Sequence, residues 1–210
     1  MHKAKAGPSA TLPPRSTEEV TEEPANQTRP KADDGLVEGN TIDGSTIAGI
    51  VLAPELWWGE ACYSRNVVIR NNTVRHVGYS TAGPWTDQAG AITILGLGDP
   101  KSAGAGKLGH RHITIEGNTV ADCDGVNLLI DSAEDVAVRH NRFVRPQAHA
   151  TRRGADRGIH PAALVWLSNC RNVRFEANTI RDAGAAFGKP YVAAPSAKDL
   201  YGLPDGIARK

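Results

Sequence analysis

The chain has 210 residues, with 24 basic and 23 acidic side chains and a formal net charge of +1. A single domain is the natural expectation at this length. A charge so close to zero creates no overall field for nucleic acid or for an anionic membrane surface, and we predict neither as a partner. No apolar run approaches the ~18 residues of a transmembrane helix.

The first 34 residues differ in composition from the rest of the chain. Residues 1–34 are rich in Pro, Glu, Thr and Lys and poor in large apolar residues, which predicts a disordered tail or linker. The start has no apolar stretch, so no signal peptide is predicted. Two locations stay open: an intracellular protein, or the C-terminal part of a longer secreted protein, extracellular or periplasmic. The repeats described in the next paragraph have no obvious N-terminal cap. Because terminal repeats need caps, this favours the second location.

A repeat organises the middle of the chain. Each copy is an aliphatic-x-aliphatic strand followed by a charged residue, any residue and Asn, and Gly35 replaces the first aliphatic residue in the first copy. The copies are Gly35–Asn40, Val67–Asn72, Ile113–Asn118, Val136–Asn141 and Val173–Asn178. Recurrence at intervals of tens of residues predicts a solenoid.

Two columns of side chains are expected if the copies stack as parallel strands about 4.8 Å apart. The charges before the Asn alternate in sign and would form a ladder, which predicts the register: Glu38, Arg70, Glu116, Arg139 and Glu176. The Asn residues would form a buried ladder that hydrogen-bonds the backbone of neighbouring turns, with Asn tolerating left-handed geometry. We therefore interpret the Asn column as structural.

A second strand follows each of the first four copies: 49–52, 91–94, 125–128 and 163–166. Period-two alternation predicts which residues face the core. The predicted inward columns are Ile50, Ile92, Val126, Leu164 and Leu52, Ile94, Leu128, Trp166. The predicted outward column is Val51, Thr93, Asn127 and Val165. Trp166 is thus expected in the core.

The repeated turns Asn40-Thr-Ile and Asn118-Thr-Val, with the Gly-aliphatic strand that follows, resemble the right-handed parallel β-helix proteins of the pectate-lyase-like superfamily. The resemblance covers residues 35–183. It implies an all-β fold, a right-handed parallel β-helix solenoid of about five coils with loop insertions, and residues 184–210 then form an irregular segment or cap. The superfamily includes polysaccharide lyases, glycoside hydrolases, uronate epimerases, phage tailspikes and copper-maturation proteins, and fold alone does not choose among these.

The cysteines give no sign of a disulfide framework. Cys62, Cys123 and Cys170 are odd in number and lack motif spacing, so free thiols are predicted. No Cys/His cluster has the spacing of a zinc site, and no metal site is predicted.

Insertions beside the second strands predict the site, because loops on a rigid scaffold usually carry chemistry. The insertions are 55–63, 79–88, 97–109 and 147–161, and coil three has none. The outward face should form a trough with coil three as its floor. Its predicted substrate-binding residues are Trp57, Trp58, Trp85, Asn127, Asp131 and Thr93. The tryptophans suit the partly apolar faces of sugars, and packing of the loops onto the solenoid is the alternative.

Hydrolysis of a glycosidic bond requires two carboxyl groups, at about 5 Å for retention or roughly 6.5–9.5 Å for inversion. Asp87 and Asp124 are the first predicted pair, because Asp87 lies three residues before the position that matches Asp124 in the next coil. Asp122 and Asp131 are further candidates. His160 is an acid or base candidate, since the pKa of His is naturally near neutrality.

A lyase would instead need an Arg or Lys base and often Ca²⁺ held by carboxylates. Arg157 with Asp122 and Asp124 is the combination that the sequence offers; otherwise no cofactor is predicted. Asp122 also has a structural interpretation, since it belongs to a turn column of neighbouring opposite charges: Gly44, His76, Asp122, Arg145 and Asp182.

Two functions follow from the sequence. The first is a carbohydrate-active protein that cleaves a polysaccharide or oligosaccharide, as a glycoside hydrolase or lyase. The second is a non-catalytic glycan-binding or structural module of a larger protein. Convergence of the acidic residues in the trough would favour the first.

Overall fold

The computed structural model describes residues 33–46, 48–54, 63–78, 90–96, 108–150, 159–160, 162–203 and 205–209. These residues form strands and turns and no helix, and hence no helix long and apolar enough to cross a membrane. The strands are β1 (Leu36–Glu38), β2 (Thr41–Asp43), β3 (Ile50–Leu52), β4 (Arg65–Arg70), β5 (Thr73–Arg75), β6 (Ile92–Ile94), β7 (His110–Glu116), β8 (Thr119–Ala121), β9 (Leu128–Arg139), β10 (Arg142–Val144), β11 (Ala163–Glu176), β12 (Asn178–Arg181), β13 (Lys189–Ala193), β14 (Lys198–Tyr201) and β15 (Ile207–Arg209).

The strands form two parallel sheets that the chain visits in turn. The nine-stranded sheet runs β1-β4-β7-β9-β11-β13, with β14 beside β11, β6 beside β9 and β3 beside β6. The six-stranded sheet runs β15-β12-β10-β8-β5-β2. This confirms an all-β parallel solenoid. The number of coils and the right-handed β-helix of the pectate-lyase-like superfamily stay predictions.

The alternating charges lie in the predicted register. Glu38 pairs with Arg70, Arg70 with Glu116, Glu116 with Arg139, and Arg139 with Glu176. Arg70 Nε lies 2.8 Å from Glu38 Oε1, and Arg139 Nε lies 2.7 Å from Glu116 Oε2. Solvent screens such exposed pairs, so their main effect is to disfavour a slipped register in which like charges would meet.

The Asn residues form the predicted buried ladder. Asn118 Nδ2 donates to Asn141 Oδ1 at 3.0 Å and to the carbonyl of Ile69 at 2.9 Å. Asn118 Oδ1 accepts from the backbone N–H of Asn72 at 3.0 Å and from its Nδ2 at 2.9 Å. The same pattern joins Asn141 to Asn178. Each Asn therefore satisfies backbone groups that the turn would otherwise bury unpaired.

The left-handed residue of each turn is the one before the Asn, which corrects the expectation that the Asn itself takes this geometry. The five left-handed residues are Gly39, Asn71, Gly117, His140 and Ala177, with φ between 50° and 68°. Left-handed backbone suits Gly because it has no Cβ. The turn leaves the Asn free to point inward and join the ladder.

Replacing two of these glycines by alanine should separate the energetic cost of backbone strain from the cost of steric crowding. A Cβ at Gly117 would lie 2.7 Å from Asn71 Oδ1, whereas a Cβ at Gly39 meets nothing within 4 Å. We expect Gly39→Ala to cost about 1 kcal/mol through its positive φ, and Gly117→Ala to cost about 1 kcal/mol more. Urea unfolding of both variants measures the difference. Equal losses would show that Asn71 moves aside freely.

The second strands stack differently from the prediction after β6. The predicted column was Ile92, Val126 and Leu164. In the structure Ile92 pairs with Leu128, two residues beyond the predicted partner, and Leu128 pairs with Val165, so the strand of the fourth coil is displaced by one residue from its predicted position. A one-residue displacement exchanges the faces of a strand. Trp166 therefore lies on the outer face and not in the predicted inward column, and Leu167 takes the inward position. Trp166 is nevertheless buried, as predicted, in a second apolar cluster on that face. The run Ala163–Leu167 is apolar at every position, so its periodicity could not decide between the faces.

The core lies between the two sheets and holds the inward aliphatic side chains of both. Cys123 and Cys170 are buried free thiols, as predicted, and burial raises the pKa of each to about 12. Cys62 lies outside the described residues.

The predicted division of the chain stays a prediction, since residues 1–32 lie outside the described part. Residues 184–210, which we expected to be irregular or a cap, contain β13, β14 and β15. These strands pair in parallel with β11 and β12, so the last part of the chain extends both sheets.

Candidate functional site

A cavity of about 610 Å³ lies on the outer face of the nine-stranded sheet, toward its C-terminal end, and we call it the candidate cavity. Its lining residues are Asp131, His160, Trp166, Ser168, Asn169, Val192, Ala193, Ala194, Pro195 and Ser196. A smaller cavity of about 130 Å³ shares Asp131, Trp166 and Ser168 and extends toward Leu95 and Gly96. Asp131 thus borders both spaces. Two of the predicted site residues, Asp131 and His160, come together here.

The strands β9 and β11 position the polar residues of the candidate cavity. Asp131 pairs in register with Ser168 on the neighbouring strand. Ile130 and Leu167, one residue earlier in each strand, face the core, so Asp131 and Ser168 face outward. Ser132 and Asn169, next in each strand, have positive φ and bend the sheet there.

Two hydrogen-bonded chains converge on the Asp131 carboxylate. The Ser168 hydroxyl donates to Asp131 Oδ1 at 2.8 Å, and it accepts from Trp166 Nε1 at 3.2 Å. The Ser132 hydroxyl donates to Asp131 Oδ2 at 2.8 Å, and it accepts from Asn169 Nδ2 at 3.0 Å. Both oxygens are therefore fixed in direction, which is the preorganisation that a reacting carboxyl group needs.

Burial raises the pKa of Asp131 above the usual value of 3.8, because desolvation disfavours the charged form. The hydrogen bonds from Ser132, Ser168 and the backbone of Gly96 act in the opposite direction without reversing the effect. A carboxyl group with a raised pKa keeps its proton to a higher pH, and this is the property of a general acid.

Trp166 forms one wall of the candidate cavity. Its side chain is buried in an outer apolar cluster with Leu95, Val126, Leu129 and Ile159. Only 7% of the residue is exposed, so the ring lines the cavity while most of its surface packs against the sheet. Its indole N–H ties this apolar wall to Ser168 and, through it, to Asp131.

His160 is half-buried and lines the cavity. Its Nδ1 lies 3.2 Å from the backbone N–H of Ala162, from which it accepts a hydrogen bond. In the neutral ring the proton then lies on Nε2, which leaves an N–H donor available. His160 can therefore bind a hydroxyl or carboxylate oxygen of a ligand.

Tyr63 and His110 support the cavity from the β7 side. Burial raises the pKa of Tyr63, and the charge of Asp131 acts in the same direction. The rings of Tyr63 and His110 meet edge to face at 5.0 Å. His110 accepts a hydrogen bond from the backbone N–H of Ser64, its Nε2 lies 3.2 Å from the Leu95 carbonyl, and burial lowers its pKa to about 4. A neutral, buried His110 is structural, and the sequence offered no signal for this support.

Four other predicted site residues lie elsewhere. Asp122 forms two 2.6 Å contacts with Arg145, and the hydrogen bonds from Arg145 lower its pKa, as its structural interpretation predicts. Asp124 accepts from the backbone N–H of His149 at 3.0 Å, and its Oδ2 lies 3.3 Å from His149 Nδ1.

Two residues of the predicted outward column, Asn127 of coil three and Thr93 of coil two, are buried. Asn127 donates to the carbonyls of Cys123 and Gly125 and holds its own turn, which is a structural role. Thr93 lies in the outward column with Val51, but it is buried and bonds to Gly90. Neither faces the candidate cavity as a lining residue.

The remaining predicted site residues lie outside the described part of the chain. They are Asp87, Arg157, Trp57, Trp58 and Trp85. Their roles stay predictions.

A calcium site is not supported by the described residues. Arg145 pairs with the Asp122 carboxylate and His149 contacts the Asp124 carboxylate, so a cation at either would compete with an existing partner. Among the described residues, no group of three or more His, Cys, Asp or Glu side chains could hold a metal ion.

Comparison with known proteins assigns no family to this chain. No protein-family model matches the chain. No curated protein matches it either. Among solved structures, it is similar to a crystal structure named "putative glycosyl hydrolase" from Parabacteroides merdae, with 13% identity and a TM-score of 0.41, covering 83% of this chain and 79% of the other. A likeness at this level does not establish a shared activity.

Proposed function

We propose that this chain is a carbohydrate-active protein that binds a polysaccharide or oligosaccharide in the candidate cavity and cleaves it with Asp131 as the proton donor. The observation that carries the proposal is the buried Asp131 carboxyl, held by two hydrogen-bonded chains on a cavity that Trp166 and His160 also line. Apolar walls with a few convergent polar groups are typical of ligand sites. They also match sugars, whose rings have apolar faces and polar edges.

Cleavage requires a second group besides the acid. In hydrolysis the acid protonates the leaving oxygen while a second carboxylate attacks the sugar or activates water. Within the described lining of the cavity Asp131 is the one carboxyl group, and His160 is the nearby base. We propose that His160, or Asp87 from the predicted trough, supplies the second function.

Non-catalytic glycan binding is the second candidate. The single carboxyl group in the described lining favours it, because a pair is the usual requirement for glycoside hydrolysis. In that case Asp131 and the side chains hydrogen-bonded to it bind the hydroxyl groups of a sugar, and the protein is a binding module of a larger protein.

A panel of neutral, uronic and sulfated polysaccharides distinguishes these functions. Reducing ends and the absorbance of unsaturated uronates would be followed with the wild type, with Asp131→Asn and with Asp124→Asn. Reducing ends alone indicate a hydrolase, and unsaturated product indicates a lyase. Binding without product supports the module. Neither binding nor product across the panel, from folded protein, would reject both proposals.

Trp166→Phe tests the cavity as the binding site. Phenylalanine keeps an aromatic side chain in the apolar cluster but shortens the cavity wall and removes the N–H that bonds to Ser168. We expect affinity for the best polysaccharide of the panel to fall about tenfold, equivalent to about 1.4 kcal/mol. Isothermal titration calorimetry measures this. Tyr201→Phe, an exposed aromatic outside the cavity, is the matched control and should bind as the wild type does.

A further inference from the structure

The smaller of the two cavities beside Asp131 has apolar walls. It has a volume of about 130 Å³, and we call it the side cavity. Its apolar walls are Leu95, Leu129, Ile159 and Trp166, each of which is at most 9% exposed. These four residues belong to one apolar cluster on the outer face of the sheet. The side cavity is therefore a recess in a packed apolar surface.

The strand register places the side cavity directly next to Asp131. Ile94 pairs with Ile130, so Leu95 and Asp131, one residue later in each strand, are neighbours. On its other side Asp131 pairs with Ser168. Asp131 and Ser168 line both cavities and form the boundary between them. A ligand in the candidate cavity can therefore extend a substituent past these two residues into the side cavity.

The volume of the side cavity limits what can enter it. An apolar protein cavity of about 150 Å³ holds one benzene ring, and a hexose has roughly twice as many heavy atoms as benzene. The 130 Å³ of the side cavity therefore cannot enclose a whole sugar ring. The candidate cavity, at about 610 Å³, lies within the range of about 300–1,000 Å³ that is usual for ligand pockets. We accordingly place the sugar ring in the candidate cavity and one of its substituents in the side cavity.

The boundary between the cavities presents a hydrogen-bond acceptor to that substituent. A serine hydroxyl has one proton and two lone pairs, whereas an indole N–H can only donate. The Ser168 proton goes to Asp131, and one Ser168 lone pair accepts from Trp166 Nε1. Among the contacts of the described residues the second lone pair of Ser168 is unused. The substituent that fits this surrounding combines a hydrogen-bond donor with an apolar end.

We propose that the side cavity binds the acetamido group of an N-acetylated sugar, with its N–H donating to Ser168 and its methyl group among the apolar walls. A hydroxyl group has no apolar end, and an O-acetyl ester has no donor. A carboxylate or sulfate would bring a second negative charge next to the Asp131 carboxyl, which is unfavourable. The inference rests on the proposed function, since it names the class of saccharide that the same site takes.

Three pairs of monosaccharides test this without depending on a particular linkage. N-acetylglucosamine, N-acetylgalactosamine and N-acetylmannosamine are compared with glucose, galactose and mannose, in which a hydroxyl replaces the acetamido group. We expect the best N-acetylated sugar to bind at least about tenfold more tightly than its parent, because it gains burial of a methyl group and a hydrogen bond. Saturation-transfer NMR titrations measure the affinities, and the acetyl methyl protons should receive the strongest saturation.

Two variants locate the acetamido group. Leu95→Phe fills part of the side cavity and should bind the N-acetylated sugar about as weakly as its parent. Ser168→Ala keeps the side cavity open but removes the acceptor, so part of the preference should be lost. Leu36→Phe is the matched control, because it makes the same exchange at an exposed position outside both cavities, and it should keep the full preference.

The outcomes separate this inference from the proposed function. N-acetylated sugars that bind no more tightly than their parents overturn the inference and leave a carbohydrate-active protein. Binding of none of the six sugars overturns it as well, and the polysaccharide panel then decides the proposed function by itself. A preference that persists unchanged in both Leu95→Phe and Ser168→Ala places the acetamido group elsewhere and also overturns the inference.

Discussion

Replacing Asn118 by alanine is expected to lower the free energy of unfolding by about 3–5 kcal/mol, a large part of the total stability of a domain this size. The side chain is fully buried and takes part in four hydrogen bonds at 2.9–3.0 Å. Alanine would leave the Asn72 amide groups and the Ile69 carbonyl buried without these partners. Urea unfolding followed by circular dichroism measures the loss.

Asn40→Ala is the matched control at the exposed end of the same ladder. Asn40 Nδ2 donates to Asn72 Oδ1 and to the Glu38 carbonyl, but water can replace both contacts. We expect a loss of about 1 kcal/mol or less. Equal losses at Asn40 and Asn118 would contradict the view that burial gives the ladder its importance.

Asp131→Asn is expected to reduce polysaccharide cleavage by a factor of about 10²–10⁴, the usual contribution of general acid–base catalysis. Asparagine keeps the size of the side chain but cannot transfer the proton. Binding of the polysaccharide should change far less than the rate. Initial rates and calorimetric affinities, measured side by side, separate the two.

Glu116→Gln is the control for this experiment. It removes one carboxylate of the same charge that lies in the exposed ladder with Arg139, remote from the lining of the candidate cavity. Its rate should equal that of the wild type. Undiminished cleavage by Asp131→Asn would exclude Asp131 as the acid and direct attention to Asp124.

The pH dependence follows from the same residue. A general acid works while protonated, so the rate should decline as the pH rises through the raised pKa of Asp131. The free energy of unfolding should also decline as the pH rises, because the folded state holds this proton more tightly than the unfolded state. The stability that this proton contributes is therefore fully present below pH 3.8, the usual pKa, and is lost as the pH rises through the raised pKa.

The sequence predicted the repeat because each copy carries its own local requirements. The Asn must hydrogen-bond the backbone of neighbouring turns, and the alternating charges allow one register, so both columns could be recognised from the sequence. Even so, the sequence suggested the Asn as the left-handed residue of the turn, whereas the residue before the Asn takes that geometry. Gly39 and Gly117 could have indicated it, since Gly favours that geometry.

The second strands contain no recurring polar or charged residue that would indicate their register. Ala163–Leu167 is apolar at every position, and both alternations satisfy the hydrophobic pattern. Pairing with β9 decided the register and put Trp166 outside. Asn127, although polar, is buried because the turn of its own coil offers two carbonyls.

By itself the sequence determined an all-β parallel solenoid, its first-strand register and the free thiols of Cys123 and Cys170, because these depend on contacts that recur in every repeat. Only the tertiary structure decided that Asp131 and His160 share a cavity with Trp166, while Asp122 and Asp124 are occupied by Arg145 and His149. The physical reason is that a one-residue displacement between strands exchanges the inner and outer faces. Such a displacement is set by the neighbouring strand, which no local pattern records.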